Sequence, residues 1–215
     1  MRFFLIFVNL LIYHGCNGQS SSNKNIKNVS EKINDTTFVN IRDFSNDIIV
    51  DMKYATTFNF LNTKVYDCSA CYLRYKTAIQ LLKVSSILIK KRIKIKLFDC
   101  YRPVDIQKKM WALVPNPIYV ADPLKGSIHN RGAAVDMTLV YANGKDFEMG
   151  TSFDYFGKEA SHDYLQFSKK VLKNRIFLKT IMVSNGFKAF DSEWWHYNLS
   201  NGSTFKLANF KWHCN

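Results

Sequence analysis

The sequence predicts an α+β fold in a single domain: a central, mainly antiparallel sheet with flanking helices. Three observations lead there. The chain has 215 residues, 47% of them hydrophobic and 22% charged, which suits one domain with a real core. Apolar positions repeat at helical spacing in some stretches and alternate in others. These stretches do not follow one another in strict strand–helix–strand order, as a parallel doubly wound sheet would require.

Taken in order, residues from about 72 to 91 place Leu73, Ala78, Leu81, Leu82 and Leu88 near helical spacing, so a helix is expected. In "IKIKLFD" (93–99), Ile93, Ile95 and Leu97 alternate with lysines, the pattern of a half-buried strand. Pro103 opens a second helix over "VDIQKKMWALV". "AAVDMTLVY" (133–141) reads as a strand, and Asn143-Gly144 after it as a turn. "QFSKKVLKNRIFLKTIMVSNG" is an amphipathic helix stopping at Gly186. "FKAF" and "EWWHYNL" complete a strand-rich end.

The N-terminus reads differently. One positive residue precedes an apolar run, Phe3 to Tyr13, too short to span a bilayer and of the length of a signal-peptide core. Gly15-Cys16 follows where a bacterial lipoprotein signal is cut, although Tyr13 departs from the usual small or aliphatic residue. Residues 1–16 are therefore expected to be a signal peptide, in a layout that also fits a lipoprotein signal. Residues 17–40 are expected to be a flexible tether, rich at first in Ser, Asn and Lys, and 41–215 the folded domain. The expectation is export to the periplasm or cell envelope, with any membrane attachment through a lipid at Cys16.

The net charge of +13, from 30 Lys and Arg against 17 Asp and Glu, raises the question of an anionic partner. The lysines are scattered, and pairs such as Lys90-Lys91 and Lys169-Lys170 read as solvated helix faces. No nucleic-acid-binding motif is present, so no nucleic acid partner is expected. The oligomeric state is left open.

With Cys16 assigned to the leader, Cys68, Cys71, Cys100 and Cys214 remain, an even number that in an exported chain suggests disulfides. Cys68-Ser-Ala-Cys71 is a lone CxxC: a zinc ribbon needs a second pair. A helix over 72–91 advances about 30 Å, and a strand over 93–99 returns about 23 Å. Cys71 and Cys100 thus come back to nearly the same level and are the favoured pair, with Cys68 as the alternative partner.

Two stretches carry the chemistry. "SIHNRGAAVDMTL" (127–139) holds His129 and Asp136, and "EWWHYNL" (193–199) holds Glu193 and His196. Catalytic zinc takes three protein ligands from His, Asp, Glu or Cys and keeps one position open. His129, Asp136 and His196 form such a set, expected on the sheet, with Gly132 letting the intervening loop turn closely. A non-ligating Glu193 beside the metal suits a general base. Taken singly, each residue also has an ordinary structural explanation.

The ordered motifs change that weighting. "SIHNRGAAVDMTL" resembles the S-x-H-x-x-G-x-A-x-D motif of zinc D-alanyl-D-alanine peptidases, and "EWWHYNL" their E-x-W-H motif. "DMKYATTFNF" (51–60), "DCYRP" (99–103), "MGTSFD" (149–154) and "GFKAFDSEWWHY" (186–197) resemble the dipeptidase branch, so that the likeness runs from about Ile48 to Leu199. The resemblance implies one Zn²⁺ per chain held by His129, Asp136 and His196, with Glu193 as general base and proton shuttle. Arg102 is implied to stabilise charge on the scissile carbonyl, and Asp154 to meet the substrate's amino end, with Tyr54 and Ser127 lining the pocket. Trp194 and Trp195 read as packing, and His162 as structural. The activity implied is zinc-dependent hydrolysis of the D-Ala-D-Ala dipeptide in cell-wall peptide turnover. The rivals are a peptidoglycan D,D-carboxypeptidase or endopeptidase of the same fold, or a non-catalytic zinc module that binds cell-wall peptide.

Overall fold

A computed structural model describes residues 33–214. The expected leader, its cysteine Cys16 and most of the expected tether lie outside the described residues. Among the described residues, no helix is long and apolar enough to cross a membrane.

Among the described residues, seven strands and three α-helices make up the fold: β1 (Phe38–Asn40), β2 (Ile49–Val50), β3 (Tyr72–Arg74), α1 (Tyr75–Ile89), β4 (Ile93–Asp99), α2 (Val104–Leu113), β5 (Ala134–Tyr141), α3 (Lys169–Val183), β6 (Phe187–Phe190) and β7 (Glu193–Leu199). Five strands form one sheet in the order β2-β4-β5-β7-β6. Only the β2–β4 pair is parallel; β4–β5, β5–β7 and β6–β7 are antiparallel. The expected mainly antiparallel α+β domain is the observed one.

The apolar patterns explain the layers. α1 buries Ala78, Leu81, Val84 and Leu88, at spacings of three and four residues, and packs on β4. α3 buries Val171, Leu178, Ile181 and Met182 and packs on β6 and β7. Ser168 caps α3 by accepting the Val171 amide at 3.3 Å, and Gly186 follows its last turn with φ +87°. β5 lies at the centre of the sheet, and every residue from Ala134 to Val140 is buried. Lys90, Lys91, Lys169 and Lys170 are exposed, as expected for solvated helix faces.

The structure corrects several boundaries: the last helix, expected from Gln166, begins at Lys169 with Ser168 as its cap. The helix expected from residue 72 begins at Tyr75, because Tyr72–Arg74 are taken up by β3. The tether expected through residue 40 ends earlier, because Phe38–Asn40 form β1, antiparallel to β3. Phe38 is held there by rings: it lies 4.2 Å from the Tyr101 ring and stacks on Phe210 at 5.0 Å. A strand this short has too few alternations to show a period of two.

The segment after β7 runs back across the domain. Ala208 donates its amide to the Asn130 carbonyl at 2.9 Å and accepts from the Val104 amide at 3.2 Å. Asn209 accepts the Asp105 amide at 3.0 Å, so the first amides of α2 find partners on this strap. A Cys68–Cys214 disulfide anchors its end, and a second disulfide joins Cys71 to Cys100. The latter is the favoured pairing from the sequence. Cys71 and Cys100 are fully buried.

Candidate metal centre and its cleft

Register brings the two motifs together. Asp136 on β5 stands opposite His196 on β7, so an aspartate and a histidine distant in sequence become cross-strand neighbours on one face. His129 lies in the single 3-10 turn His129–Arg131 that leads into β5. Gly132 closes that turn at φ +68°, where a Cβ would stand 2.5 Å from the Phe38 ring and 3.1 Å from the Arg74 amide nitrogen. Only glycine fits there.

The three side chains are buried, and their donor atoms converge within 4.8 Å. His129 Nε2 is 3.1 Å from His196 Nδ1 and 3.4 Å from an Asp136 oxygen, and His196 Nδ1 is 2.9 Å from the other oxygen. The outer nitrogens have partners of their own. His129 Nδ1 donates to the Cys100 carbonyl at 2.6 Å, and His196 Nε2 donates to Asn198 Oδ1 at 2.9 Å. With those protons placed outward, the neutral rings turn two lone pairs and a carboxylate toward one point. Such a set calls for a cation. Tetrahedral zinc, with Zn–N near about 2.0–2.1 Å, separates its ligand atoms by roughly 3.3 Å, close to the spacing found. The donor set fits zinc. The burial that would raise the Asp136 carboxyl is outweighed by the two histidines, which hold its pKa below the usual carboxylate range. Burial opposes charge on His196, but the Asp136 carboxylate beside Nδ1 would favour a protonated ring, and its pKa is raised.

A cleft of about 360 Å³ opens on this centre, and all eight residues expected from the sequence line it: Tyr54, Arg102, Ser127, His129, Asp136, Asp154, Glu193 and His196. Glu193 begins β7, with an oxygen 4.0 Å from His196 Nδ1. This is too far for a hydrogen bond, and Glu193 does not belong to the converging donor set. Burial raises its pKa, reinforced by Asp136 and moderated by His196.

Arg102 is buried and pinned. Nη2 and Nε donate to Asp99 Oδ2 at 2.6 and 3.2 Å, and Nη1 donates to Gln107 at 3.0 Å. Two of its five N–H groups are left for a ligand. Burial works against its charge, but Asp99 dominates and keeps the guanidinium firmly protonated. Asp154 also lines the cleft and accepts Tyr54 Oη–H at 3.0 Å. Its carboxyl is pushed well above the usual range, first by burial and then by Asp136. Its backbone is left-handed at φ +59°, unusual for a residue with a Cβ and the kind of local strain that gathers at functional sites. Ser127 turns its hydroxyl to the His129 amide at 3.2 Å, so it shapes the ligand turn as well as lining the cleft. Trp194 is buried and donates to Thr151 Oγ at 2.8 Å. Trp195 packs edge-on against Phe153. His162 stands outside the converging set, and burial, with Lys179 and Arg175, lowers its pKa to about 4.

Several supporting groups went unassigned at the sequence level. Asp99, fully buried, receives Arg102, the Tyr66 hydroxyl at 2.7 Å and the Cys100 amide at 2.9 Å. Asn130 donates to the Arg102 carbonyl at 2.8 Å. Asn198 and the Cys100 carbonyl orient the two histidines. Asp99 stands in the "DCYRP" motif and could have been found there. The Cys100 carbonyl has no side-chain signal at all.

A family model described as D-ala-D-ala dipeptidase, of the M15 peptidases, matches residues 34–210. The chain belongs to this family. It is therefore a metallopeptidase of the M15 group. Among its relatives, a D-alanyl-D-alanine dipeptidase of Escherichia coli (strain K12) is 33% identical over 169 residues, covering 78% of this chain and 87% of that one. Another of the same name from Enterococcus faecium is 31% identical over 173 residues, covering 69% and 84%. A solved structure of the vancomycin-resistance D,D-dipeptidase VanXYg with a D-Ala-D-Ala phosphinate analogue aligns over 76% of this chain and 66% of that one, with 15% identity and a TM-score of 0.33. That likeness is too loose to carry an argument, and the fold rests on the geometry above.

Proposed function

We propose that this M15 peptidase hydrolyses the D-Ala-D-Ala dipeptide with one zinc ion held by His129 Nε2, the Asp136 carboxylate and His196 Nδ1. The observation that carries the reading is that one cleft is lined both by a three-donor centre with outward-locked histidine protons and by the Asp154 carboxylate. The relatives' names and the family model support the same substrate.

Zinc bound at such a centre supplies Lewis acidity to a carbonyl oxygen and lowers the pKa of water. The protein's own groups do the rest. Asp154 pairs with the free ammonium of the dipeptide, and the charge-assisted bond is strengthened by the cleft's low dielectric. That ammonium also restores the ionised carboxylate that burial disfavours. Arg102, held rigid by Asp99 and Gln107, presents its two remaining N–H groups to the oxygen that gains charge as the carbonyl is attacked. Glu193 removes a proton from the attacking water and returns it to the leaving amine. Its raised pKa brings it nearer the operating pH, where a general base works best.

The apolar leader expected at residues 3–13 supports export to the periplasm or cell envelope, with lipid attachment at Cys16 as the anchor. Two disulfides among the described cysteines fit an oxidising compartment. The test is turnover of D-Ala-D-Ala beside a longer stem peptide ending in D-Ala-D-Ala, with and without a chelator. Fast dipeptide hydrolysis that the chelator abolishes and zinc restores is expected. Preference for the longer peptide would transfer the protein to the carboxypeptidase reading. Binding without turnover would indicate a non-catalytic module.

A further inference from the structure

The walls of the cleft come from separate segments of chain. Tyr119 is carried by the stretch between α2 and the His129 turn, and Phe156 sits two residues beyond Asp154. Both line the cleft, and their rings meet with centroids 4.6 Å apart at 51°. This contact joins one wall to the other. From Phe156 the aromatic contacts continue inward: Phe60 lies edge-on at 4.9 Å, Tyr54 lies edge-on to Phe60 at 6.2 Å, and the Tyr54 hydroxyl reaches Asp154 at 3.0 Å. These contacts tie the bridge to the Asp154 side of the cleft. Tyr119 is 41% and Phe156 38% exposed, so the ring pair lies at the surface of the molecule.

We propose that the Tyr119–Phe156 ring contact is a clasp that closes the cleft beyond Asp154 and limits the substrate to a dipeptide. The inference rests on the proposed placement of the substrate's ammonium at Asp154. A residue added to the amino end of D-Ala-D-Ala would have to pass where the rings meet. Charge selection by Asp154 and length selection by the clasp are then separate devices: the first asks for an ammonium, the second denies space beyond it. A single tilted aromatic pair is a modest interaction, so the clasp can part to admit substrate and release product, yet its rings refill the space in the closed state.

The experiment compares kcat/KM for D-Ala-D-Ala and L-Lys-D-Ala-D-Ala, together with equilibrium binding of both peptides, on the zinc-loaded full chain. Phe156→Ala and Tyr119→Ala should each raise the tripeptide-to-dipeptide ratio at least tenfold. The double variant should gain little over the better single one, because either change breaks the same contact. Tyr119→Phe keeps the ring and should keep the wild-type ratio. Leu124→Ala, at an outward-facing residue that is 91% exposed on the same stretch as Tyr119, should leave ratio and activity unchanged. An unmoved ratio in both alanine variants, or a wild-type protein that takes the tripeptide as readily as the dipeptide, overturns the clasp. If the wild type turns over neither peptide, the proposed activity fails, while the binding ratios still judge the clasp.

Discussion

Removing the Cys71–Cys100 bridge, as Cys71→Ala/Cys100→Ala, should cost both stability and metal affinity. The two residues are 29 apart in sequence. Closing a loop of that size removes about 12 cal/mol/K of entropy from the unfolded chain, or about 3.6 kcal/mol at 25 °C. For a domain of this size a loss of that order lowers the melting temperature by about 7–14 °C. The second effect comes from position. Cys100 gives its carbonyl to His129 Nδ1 and its amide to Asp99, which holds Arg102. Letting Cys100 drift loosens the group that sets the tautomer of one ligand, and a defect of that kind costs about 10–100-fold in metal affinity. The assays are thermal unfolding of the metal-free protein and zinc titration against a competing chelator. Non-reducing peptide mapping of the wild type comes first. A Cys68–Cys71 link, a free thiol at Cys100, or a double variant that melts within about 2 °C of wild type with unchanged zinc affinity would refute the reasoning.

Glu193→Gln should retain zinc while turnover falls by about 10²–10⁴-fold, the usual contribution of a positioned general base; metal content by atomic absorption checks the first half, and loss of zinc would make Glu193 a ligand instead. Asn198→Ala frees His196 Nε2 from its acceptor and should weaken zinc binding about 10–100-fold with little change in melting of the metal-free protein. Acetylating the substrate's amino group should cost about 10–150-fold in kcat/KM, equivalent to a bond of about 1.5–3 kcal/mol, and Asp154→Ala should narrow that gap; equal rates on free and acetylated dipeptide would exclude the ammonium pairing. Asp154 also predicts a pH dependence. Its folded pKa lies above the unfolded value, so its contribution to stability is full below the ordinary carboxylate pKa and is lost as pH rises through the raised value. Metal-free Asp154→Asn should therefore lose less stability than wild type over that rise, as followed by denaturant titration at a series of pH values.

Local chemistry in the sequence determined a good deal. Helical spacing over about 72–91 and alternation over 93–99 announce α1 and β4, Pro103 the start of α2, and the stretches at 133–141 and 166–186 the strand β5 and the helix α3. Gly132 and Gly186 mark left-handed positions that only a missing Cβ makes easy. The ligand candidates His129, Asp136 and His196, and Glu193 beside them, were legible because metal chemistry restricts residue type so tightly, and motif resemblance added Arg102, Asp154, Tyr54 and Ser127. The tertiary structure decided what depends on distant partners. β1, β2 and β3 have two or three residues each and no period to read; pairing alone makes them strands. The register that sets Asp136 opposite His196 joins residues 60 apart. The protons of His129 and His196 are turned outward by a main-chain carbonyl and an asparagine, and Arg102 is aimed by Asp99 and Gln107. Residue type is written in the chain, but the direction of a lone pair depends on the neighbour that takes the proton on the other side, and only folding brings that neighbour within hydrogen-bond reach.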